Sequence, residues 1–284
     1  MQNLDRILNK IGTLPALSPI VNKLLVLLED ENSSLEEIAR LISVDQAFAV
    51  KVLRFANSAY FGFAREISSI QQAIVILGTR SIKNIALGIS VFHLDKDIAP
   101  DLQNDILRLE KQSVKCAVYA QAIARHLRLP HLDDIFVSGL LHDVGRLVII
   151  RCLQEEYRQI CKLRETGYMS LIDAELKVLE VTHMDVGAYM LNQWNFPENI
   201  VAVIQYHHMP HCIPTTLADN PSIGYHIKII ALTQLLCYEN ELSASDKGIV
   251  DVLLNELKLS LPDLESVFEN AQIELDLLSS AFDV

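Results

Sequence analysis

The sequence predicts an all-α fold, and two observations carry that prediction. Apolar residues recur at three- and four-residue spacing along nearly the whole chain, and no segment shows the sustained alternation of a half-buried strand. Half of the 284 residues are hydrophobic and the mean hydropathy is +0.24, which suffices for one large core or for two lobes that share one. We therefore expect a multi-helical bundle with a helical lobe at its N-terminal end.

The chain divides into three expected parts. Residues 1–94 are predicted to form an N-terminal lobe of short helices, residues 95–242 a helical core, and residues 243–284 a C-terminal helical tail. The polar segment 95–101 contains a proline and several charges, which suits an exposed connection or the start of the next helix. The leucine-rich tail is expected to break at Leu261-Pro262-Asp263, because the residue before a proline disfavours helical backbone.

Two helix starts carry capping signals. Ser34 followed by Glu37 has the pattern of a capping box and predicts that a helix begins at Leu35 and continues to Ile42. Asp134 is expected to cap the helix that carries His142-Asp143.

The segment that follows the first cap also fits a helix-turn-helix pattern. A helix to Ile42, a turn at Ser43-Val44-Asp45 and a second helix from Ala47 to Ala56 would be its parts. A DNA-reading second helix needs several polar and basic side chains, and this one supplies only Gln46, Lys51 and Arg54. We therefore interpret the segment as core packing and keep DNA binding as a lesser alternative.

Charge and composition narrow the choice of partner. Asp and Glu number 36 against 24 Lys and Arg, so the formal net charge is −12, which repels phosphate backbones and anionic lipid. The five cysteines include no CxxC pair, which is typical of reduced thiols in a cytoplasm. Neither a signal peptide nor an apolar run of membrane-spanning length is visible. We expect a cytoplasmic protein that binds a protein partner, with no nucleic acid and no membrane involved.

The most informative stretch of the chain runs from Leu140 to Arg146 and contains His142-Asp143 in apolar surroundings. A carboxylate loses several kcal/mol of solvation on burial unless it is hydrogen-bonded or binds a cation. A simple buried His-Asp hydrogen bond would satisfy that need. Further histidines at His183 and at His207-His208 leave a second interpretation open, an interhelical site for iron, zinc or manganese.

Several motifs occur in a fixed order along the chain: Leu14-Pro15-Ala16-Leu17-Ser18-Pro19, Val44-Asp45-Gln46, Leu53 to Gly62, Ile67 to Ile74, Leu77-Gly78, Gly139 to Gly145, and Trp194-Asn195-Phe196-Pro197 before His207-His208. With these motifs the chain resembles the HD superfamily, and more closely the HDOD family of bacterial signalling domains, over roughly residues 10–240. The resemblance implies an all-helical fold. Related HD phosphohydrolases and HD-GYP phosphodiesterases use histidines and aspartates to hold metal ions that activate water against a phosphate ester.

Two positions depart from that pattern. Gln112 stands where the resemblance places the first histidine ligand, and Gln234 where it places the closing aspartate. An amide oxygen is a weak neutral ligand, so these changes remove one imidazole and one negative charge. We expect at most one divalent transition metal (iron, manganese or zinc), weakly held by His142, Asp143, His183 and one of His207 and His208.

The same comparison gives an expected ligand pocket and function. Arg146 occupies the place where many HD enzymes carry a phosphate-binding lysine, and with Gln112 and Gln234 it could contact a nucleotide-like ligand. An ion pair on the helix surface is the alternative role for Arg146. We expect a non-catalytic signal-transduction module that acts by protein or small-ligand binding, and the alternative is a metal-dependent phosphohydrolase with an altered ligand set.

Overall fold

A computed structural model describes residues 2–12, 23–24, 26–27, 33–56, 67–91, 98–165, 167, 169–214, 217, 221–237 and 244–282. Every regular element in these ranges is helical, which confirms the predicted all-α class. The motifs at Leu14-Pro19 and Asn57-Gly62 and both predicted part boundaries, at 94/95 and 242/243, lie outside the described residues.

The helices follow one another with short connections. Four of them precede the predicted core: α1 Gln2–Ile11, α2 Leu35–Val44, α3 Gln46–Ala56 and α4 Ile70–Val91. A 3₁₀ turn, Pro100–Leu102, then leads into α5 Gln103–His126, α6 Leu132–Leu141, α7 Val144–Cys152, α8 Gln154–Glu165, α9 Leu171–Leu179, α10 His183–Gln193, α11 Glu198–Tyr206 and α12 Pro221–Cys237. The chain ends in α13 Ala244–Leu257 and α14 Leu261–Phe282.

The predicted capping box at Ser34 is confirmed. The Ser34 hydroxyl accepts from the backbone N–H of Glu37, and the Glu37 carboxylate accepts from the N–H of Ser34. A second capping box opens α10, where Thr182 and Asp185 make the same reciprocal pair. This second box fixes the helix start at His183, a predicted metal ligand.

The local structure around His142 differs from the expectation. Asp134 is not the cap of α6: His131 precedes the helix in a left-handed conformation, and the buried Asp134 carboxylate accepts from Nδ2 of Asn199 at 2.9 Å. The helix ends at Leu141, so His142 and Asp143 form a two-residue turn before α7 rather than lying inside a helix.

The break in the C-terminal tail lies slightly earlier than expected. It falls at residues 258–260, and Pro262 sits in the first turn of α14, where its missing N–H has no intrahelical partner to lose. Ser260 caps this helix through reciprocal bonds with Asp263.

Two hydrophobic clusters form the core. The first joins α2, α3 and α4 to α5, α6 and α11–α14, so the lobe and the tail share one core with the middle of the chain. The second joins α1 to the start of α5 and to α7–α10.

Within the described ranges, no helix is long and apolar enough to cross a membrane. Lys51, on the second helix of the helix-turn-helix-like segment, is buried, and its charge faces Glu110, which favours core packing over DNA reading.

Two glycines permit the close helix contacts that bring the histidines together. A Cβ on Gly145 would lie 1.9 Å from the carbonyl oxygen of His183, and one on Gly139 would lie 2.6 Å from Cα of Ala117. The backbone of α7 therefore touches the start of α10 directly, and any side chain at residue 145 would separate Asp143 from His183.

Gly145→Ala is expected to destabilise the protein by ~3 kcal/mol or more, because the methyl group meets backbone that no side-chain rotation can move. The matched control is Gly248→Ala in α13, where an added Cβ meets nothing within 4 Å. That change should stabilise the helix by up to ~1 kcal/mol. Chemical unfolding followed by circular dichroism measures both, and equal stability of the two variants would contradict the close approach.

Candidate metal centre

Four predicted ligands converge at helix ends. Ligand atoms of Asp143, His183, His207 and His208 all lie within 4.8 Å of one another. Asp143 comes from the turn between α6 and α7, His183 is the first residue of α10, and His207-His208 directly follow α11. Both members of the pair join the cluster, where the sequence predicted only one.

Backbone carbonyls orient two of the imidazoles. Nδ1 of His142 lies 2.8 Å from the carbonyl oxygen of Gly139, and Nδ1 of His207 lies 2.8 Å from that of Ile204. Since a carbonyl can only accept, each Nδ1 carries the proton and each Nε2 keeps its lone pair. Both rings thus present the unprotonated nitrogen that a metal ion requires.

A buried carboxylate orients the third imidazole. Nδ1 of His183 donates to Glu175, at 2.8 Å from one carboxylate oxygen and 3.0 Å from the other. The same carboxylate accepts from the backbone N–H of His183 at 3.0 Å. Glu175 therefore fixes both the ring and the helix start, which is the arrangement that commonly supports a metal-bound histidine.

The Asp143 carboxylate sits at the centre of this group. Its Oδ2 accepts from Nη1 of Arg146 at 2.7 Å and lies 3.5 Å from Nε2 of His142. Its Oδ1 lies 3.3 Å from Nε2 of His183. Burial by itself would raise the pKa of Asp143, but Arg146 and the surrounding imidazoles outweigh it and hold that pKa well below the ordinary value. Asp143 is therefore a permanent negative charge.

Two imidazole nitrogens in the cluster face each other. Nε2 of His183 lies 3.4 Å from Nε2 of His207, although the partners of both Nδ1 atoms leave a lone pair on each Nε2. Two facing lone pairs repel unless a proton or a cation lies between them. Burial lowers the pKa of His183 but Glu175 and Asp143 more than compensate, so its pKa is raised above the ordinary value. A proton or a metal ion between the two nitrogens would remove the repulsion.

The other two imidazoles of the four-ligand cluster are neutral. Burial, with the neighbouring histidines, holds the pKa of His207 well below its ordinary value. Burial and His183 lower the pKa of His208 to about 3. Neutral imidazole is the form that binds a transition metal.

Gln234 weakens the fourth ligand. Its Nε2 lies 3.2 Å from Nδ1 of His208 and 3.4 Å from the carbonyl oxygen of His207, so the amide donates to both. The bond to Nδ1 leaves the proton of His208 on Nε2, opposite to the tautomer of the other three histidines. Neither Nε2 of His208 nor Oε1 of Gln234 has a hydrogen-bond partner among the described residues, although both atoms are buried. The Gln234 amide therefore leaves, within the described part of the chain, one buried polar atom on itself and another on His208 without a hydrogen bond.

The remaining predicted site residues lie around the cluster. His142 contacts the far oxygen of Asp143 and is not one of the four mutually close ligands. Arg146 pairs with Asp143, and its side chain is only 11% exposed, so its ion pair is largely buried rather than on the helix surface. Gln112 lies half-buried on α5 and lines a cavity beside Cys237, three residues beyond Gln234 on α12.

Sequence reasoning missed Glu175. It lies on α9 four residues from both Leu171 and Leu179, which places a carboxylate on the apolar stripe of an amphipathic helix. A carboxylate within the apolar stripe was the sequence signal that could have identified Glu175 as a buried, paired residue. Its partner His183 could not be inferred, because the contact depends on how α9 turns back onto α10.

The donor set fits one tetrahedral transition-metal ion better than a hydrolytic centre. Asp143, His183 and His207 are each at most 1% exposed, and His208 is half-buried with its Nε2 atom inside the protein. Closed four-ligand sites are typical of structural metals, whereas catalytic sites keep one position open to water or substrate. An imidazole-rich set also prefers zinc, iron or manganese to magnesium.

A helical domain with a buried histidine-aspartate cluster is the class that the fold and the site define. The chain belongs to the HDOD domain family, whose model matches residues 14–210. An uncharacterized protein of Treponema pallidum (strain Nichols) is 24% identical over 207 residues, which cover 72% of this chain and 40% of that protein. The chain thus spans about two fifths of the length of this curated relative.

Solved structures share the fold. An HDOD domain protein of unknown function from Geobacter sulfurreducens has a TM-score of 0.69 at 23% identity and covers 99% of this chain and 96% of its own. A protein of Shewanella amazonensis SB2B, provisionally named a metal-dependent phosphohydrolase, has a TM-score of 0.75 at 17% identity, and the match covers 99% of this chain and 100% of that one. A provisionally named signal transduction protein of Marinobacter aquaeolei VT8 has a TM-score of 0.64 at 18% identity, and the match covers 99% of this chain and 65% of that one. At these identities the likeness shows the fold alone.

Glu175→Gln is expected to weaken zinc binding about 10- to 100-fold, because the amide keeps one acceptor oxygen but turns an N–H group towards the two donors of His183. Competition with a chromophoric chelator measures the affinity. Glu165→Gln makes the same chemical change on the surface of α8 and should leave the affinity unchanged. Nitrogen chemical shifts of His183 should also show loss of the Nδ1-protonated tautomer, and wild-type affinity with an unchanged tautomer would contradict the role of Glu175.

Proposed function

We propose that the protein is a non-catalytic regulatory module of a bacterial signalling pathway, and that its buried cluster holds one divalent transition-metal ion as a structural element. The observation that carries the proposal is the enclosure of Asp143. One carboxylate oxygen accepts from Arg146 and the other lies 3.3 Å from Nε2 of His183, where a cation would meet both the carboxylate and the imidazole. A bound ion would join the turn before α7 to the ends of α10 and α11.

A hydrolytic centre has two requirements that this arrangement does not meet. The cation must hold a water molecule and lower its pKa, and a phosphate ester must reach that water. Here three of the four ligands are buried and His208 is half-buried, and Gln112 and Gln234 stand in place of the imidazole and carboxylate that the family resemblance implies. The metal would therefore organise the fold rather than activate water.

The net charge of the chain supports one class of binding partner over others. A net charge of −12 disfavours nucleic acid and anionic membranes as partners and leaves a protein or a small ligand. We propose a cytoplasmic signalling protein as the partner. A nucleotide-like ligand that approached Arg146, Gln112 and Gln234 would compete with Asp143 for the guanidinium, so Arg146 is a poorly available contact.

A metal-dependent phosphohydrolase with an altered ligand set is the second candidate. It is favoured by one specific observation: three histidines present Nε2 lone pairs around a carboxylate that stays ionised. This ligand chemistry is the same as that of zinc hydrolases.

Purified protein loaded with manganese, iron or zinc is expected to show no turnover of bis(p-nitrophenyl) phosphate or of cyclic dinucleotides, because four protein ligands would fill the coordination of one tetrahedral ion. Release of nitrophenolate and chromatography of the nucleotides measure turnover. Metal-dependent hydrolysis that disappears in His183→Ala would replace the regulatory proposal by the hydrolytic one.

Gln234→Asp together with Gln112→His is expected to strengthen metal binding by ~10-fold or more. A carboxylate at 234 would accept a hydrogen bond from a protonated Nδ1 of His208 and so free its Nε2 for the ion, whereas the present amide donates to that nitrogen. Most of the gain should therefore come from Gln234→Asp. Gln103→Asp, which adds the same charge on the surface of α5, is the control. No change of affinity in the double variant would show that these positions do not belong to the site.

A further inference from the structure

The cavity that Gln112 lines runs along α5, and none of the four cluster ligands is among its lining residues. Its volume is about 330 Å³, within the range of small-ligand pockets. Three cations line it, Arg108, Lys111 and Lys115, together with uncharged side chains from α5 and the buried thiol of Cys237 on α12. No carboxylate is among its lining residues in the described part of the chain.

The three cations share one face of α5, at spacings of three and four residues. None of them makes an ion pair with a described residue, although the chain carries twelve more acidic than basic side chains. Lys115 instead lies over the ring of Tyr119, at 5.8 Å from its centroid. Cations at this spacing repel one another, so their grouping is unfavourable unless an anion lies among them.

The acidic residues of α5 face other helices. Glu110 pairs with Arg151 on α7 at 3.4 Å and also faces Lys51 on α3. Asp105 is close enough to Tyr157 and Cys161 on α8 to raise the pKa of each, after the larger effect of burial. The helix therefore separates its charges, with carboxylates towards the protein and cations towards the cavity.

The uncharged lining residues indicate what else the ligand carries. Leu107 is an exposed apolar side chain at the cavity wall, and Asn104 and Gln112 offer amide donors and acceptors. An inorganic anion alone could accept from the two amides but would make no use of Leu107. A ring that bears hydroxyl or ring-nitrogen groups would use all of them.

We propose that this cavity binds a small phosphorylated ligand of about mononucleotide size, with its phosphate at Arg108, Lys111 and Lys115 and its ring against Leu107, Asn104 and Gln112. A nucleoside monophosphate and a phosphorylated sugar share this chemistry. None of the four cluster ligands lines the cavity, so binding does not require the metal. The two sites nevertheless meet at α12, since Gln234, which contacts His208, and Cys237, which lines the cavity, lie three residues apart on that helix.

The test is isothermal titration calorimetry of the full chain in EDTA at low salt. The ligands are adenosine 5′-monophosphate, ribose 5-phosphate, inorganic phosphate and uncharged adenosine. Both organic phosphates should bind more tightly than inorganic phosphate, and adenosine should not bind. Adenosine monophosphate binding tighter than ribose 5-phosphate would identify the ring as a base, and equal affinities would identify it as the sugar.

Arg108→Gln/Lys111→Gln should weaken binding of adenosine monophosphate by ~10-fold or more, since two charge-assisted hydrogen bonds to the phosphate are lost. Lys162→Gln/Arg164→Gln on α8 removes the same two charges from another exposed face and should change the affinity less than twofold. The proposal is overturned if neither organic phosphate binds at millimolar concentration, if adenosine binds as tightly as its phosphate, or if both double variants weaken binding equally. Because EDTA removes metal, these outcomes leave the proposed regulatory metal site untouched.

Discussion

The Asp143 carboxylate is buried among groups that compensate its charge, and the arrangement of the surrounding helices depends on that compensation. An ionised carboxylate in a core is strongly unfavourable when unpaired. Here Arg146 binds one oxygen and His183 faces the other. The compensating groups come from the first turn of α7, from the turn before it and from the ends of α10 and α11, so these elements must meet at one point. Gly145 permits the meeting because its missing Cβ lets α7 touch the backbone of His183.

The surrounding hydrogen bonds decide what the cluster can bind. Carbonyls and Glu175 place the protons of three imidazoles on Nδ1, which leaves their Nε2 atoms ready to coordinate. Gln234 imposes the opposite tautomer on His208. Three histidines therefore present the nitrogen that a cation needs, and His208 does not. A weakened metal site of this kind would suit the proposed binding module better than an enzyme.

Sequence patterns predicted the fold class and the ligand types but not their spatial relations. Helical periodicity identified the all-α class, and the Ser34 box located a helix start because its chemistry is local. Periodicity does not locate helix ends inside apolar runs, so the turn at His142-Asp143 was missed. Glu175 and the cation-lined cavity were also missed, because each depends on which helix faces pack together. That both His207 and His208 belong to the cluster could not be predicted either, because it depends on how the helices pack around the end of α11.

The central claim is that Asp143, His183, His207 and His208 form a closed site for one metal ion. Anomalous diffraction at the zinc edge, from crystals of zinc-loaded protein, tests this claim most directly. The account predicts one peak about 2.0–2.2 Å from Nε2 of His183 and His207 and from a carboxylate oxygen of Asp143. It also predicts that protein atoms complete the coordination. A peak elsewhere, the lack of any peak, or an ion that carries an open water position would contradict the account.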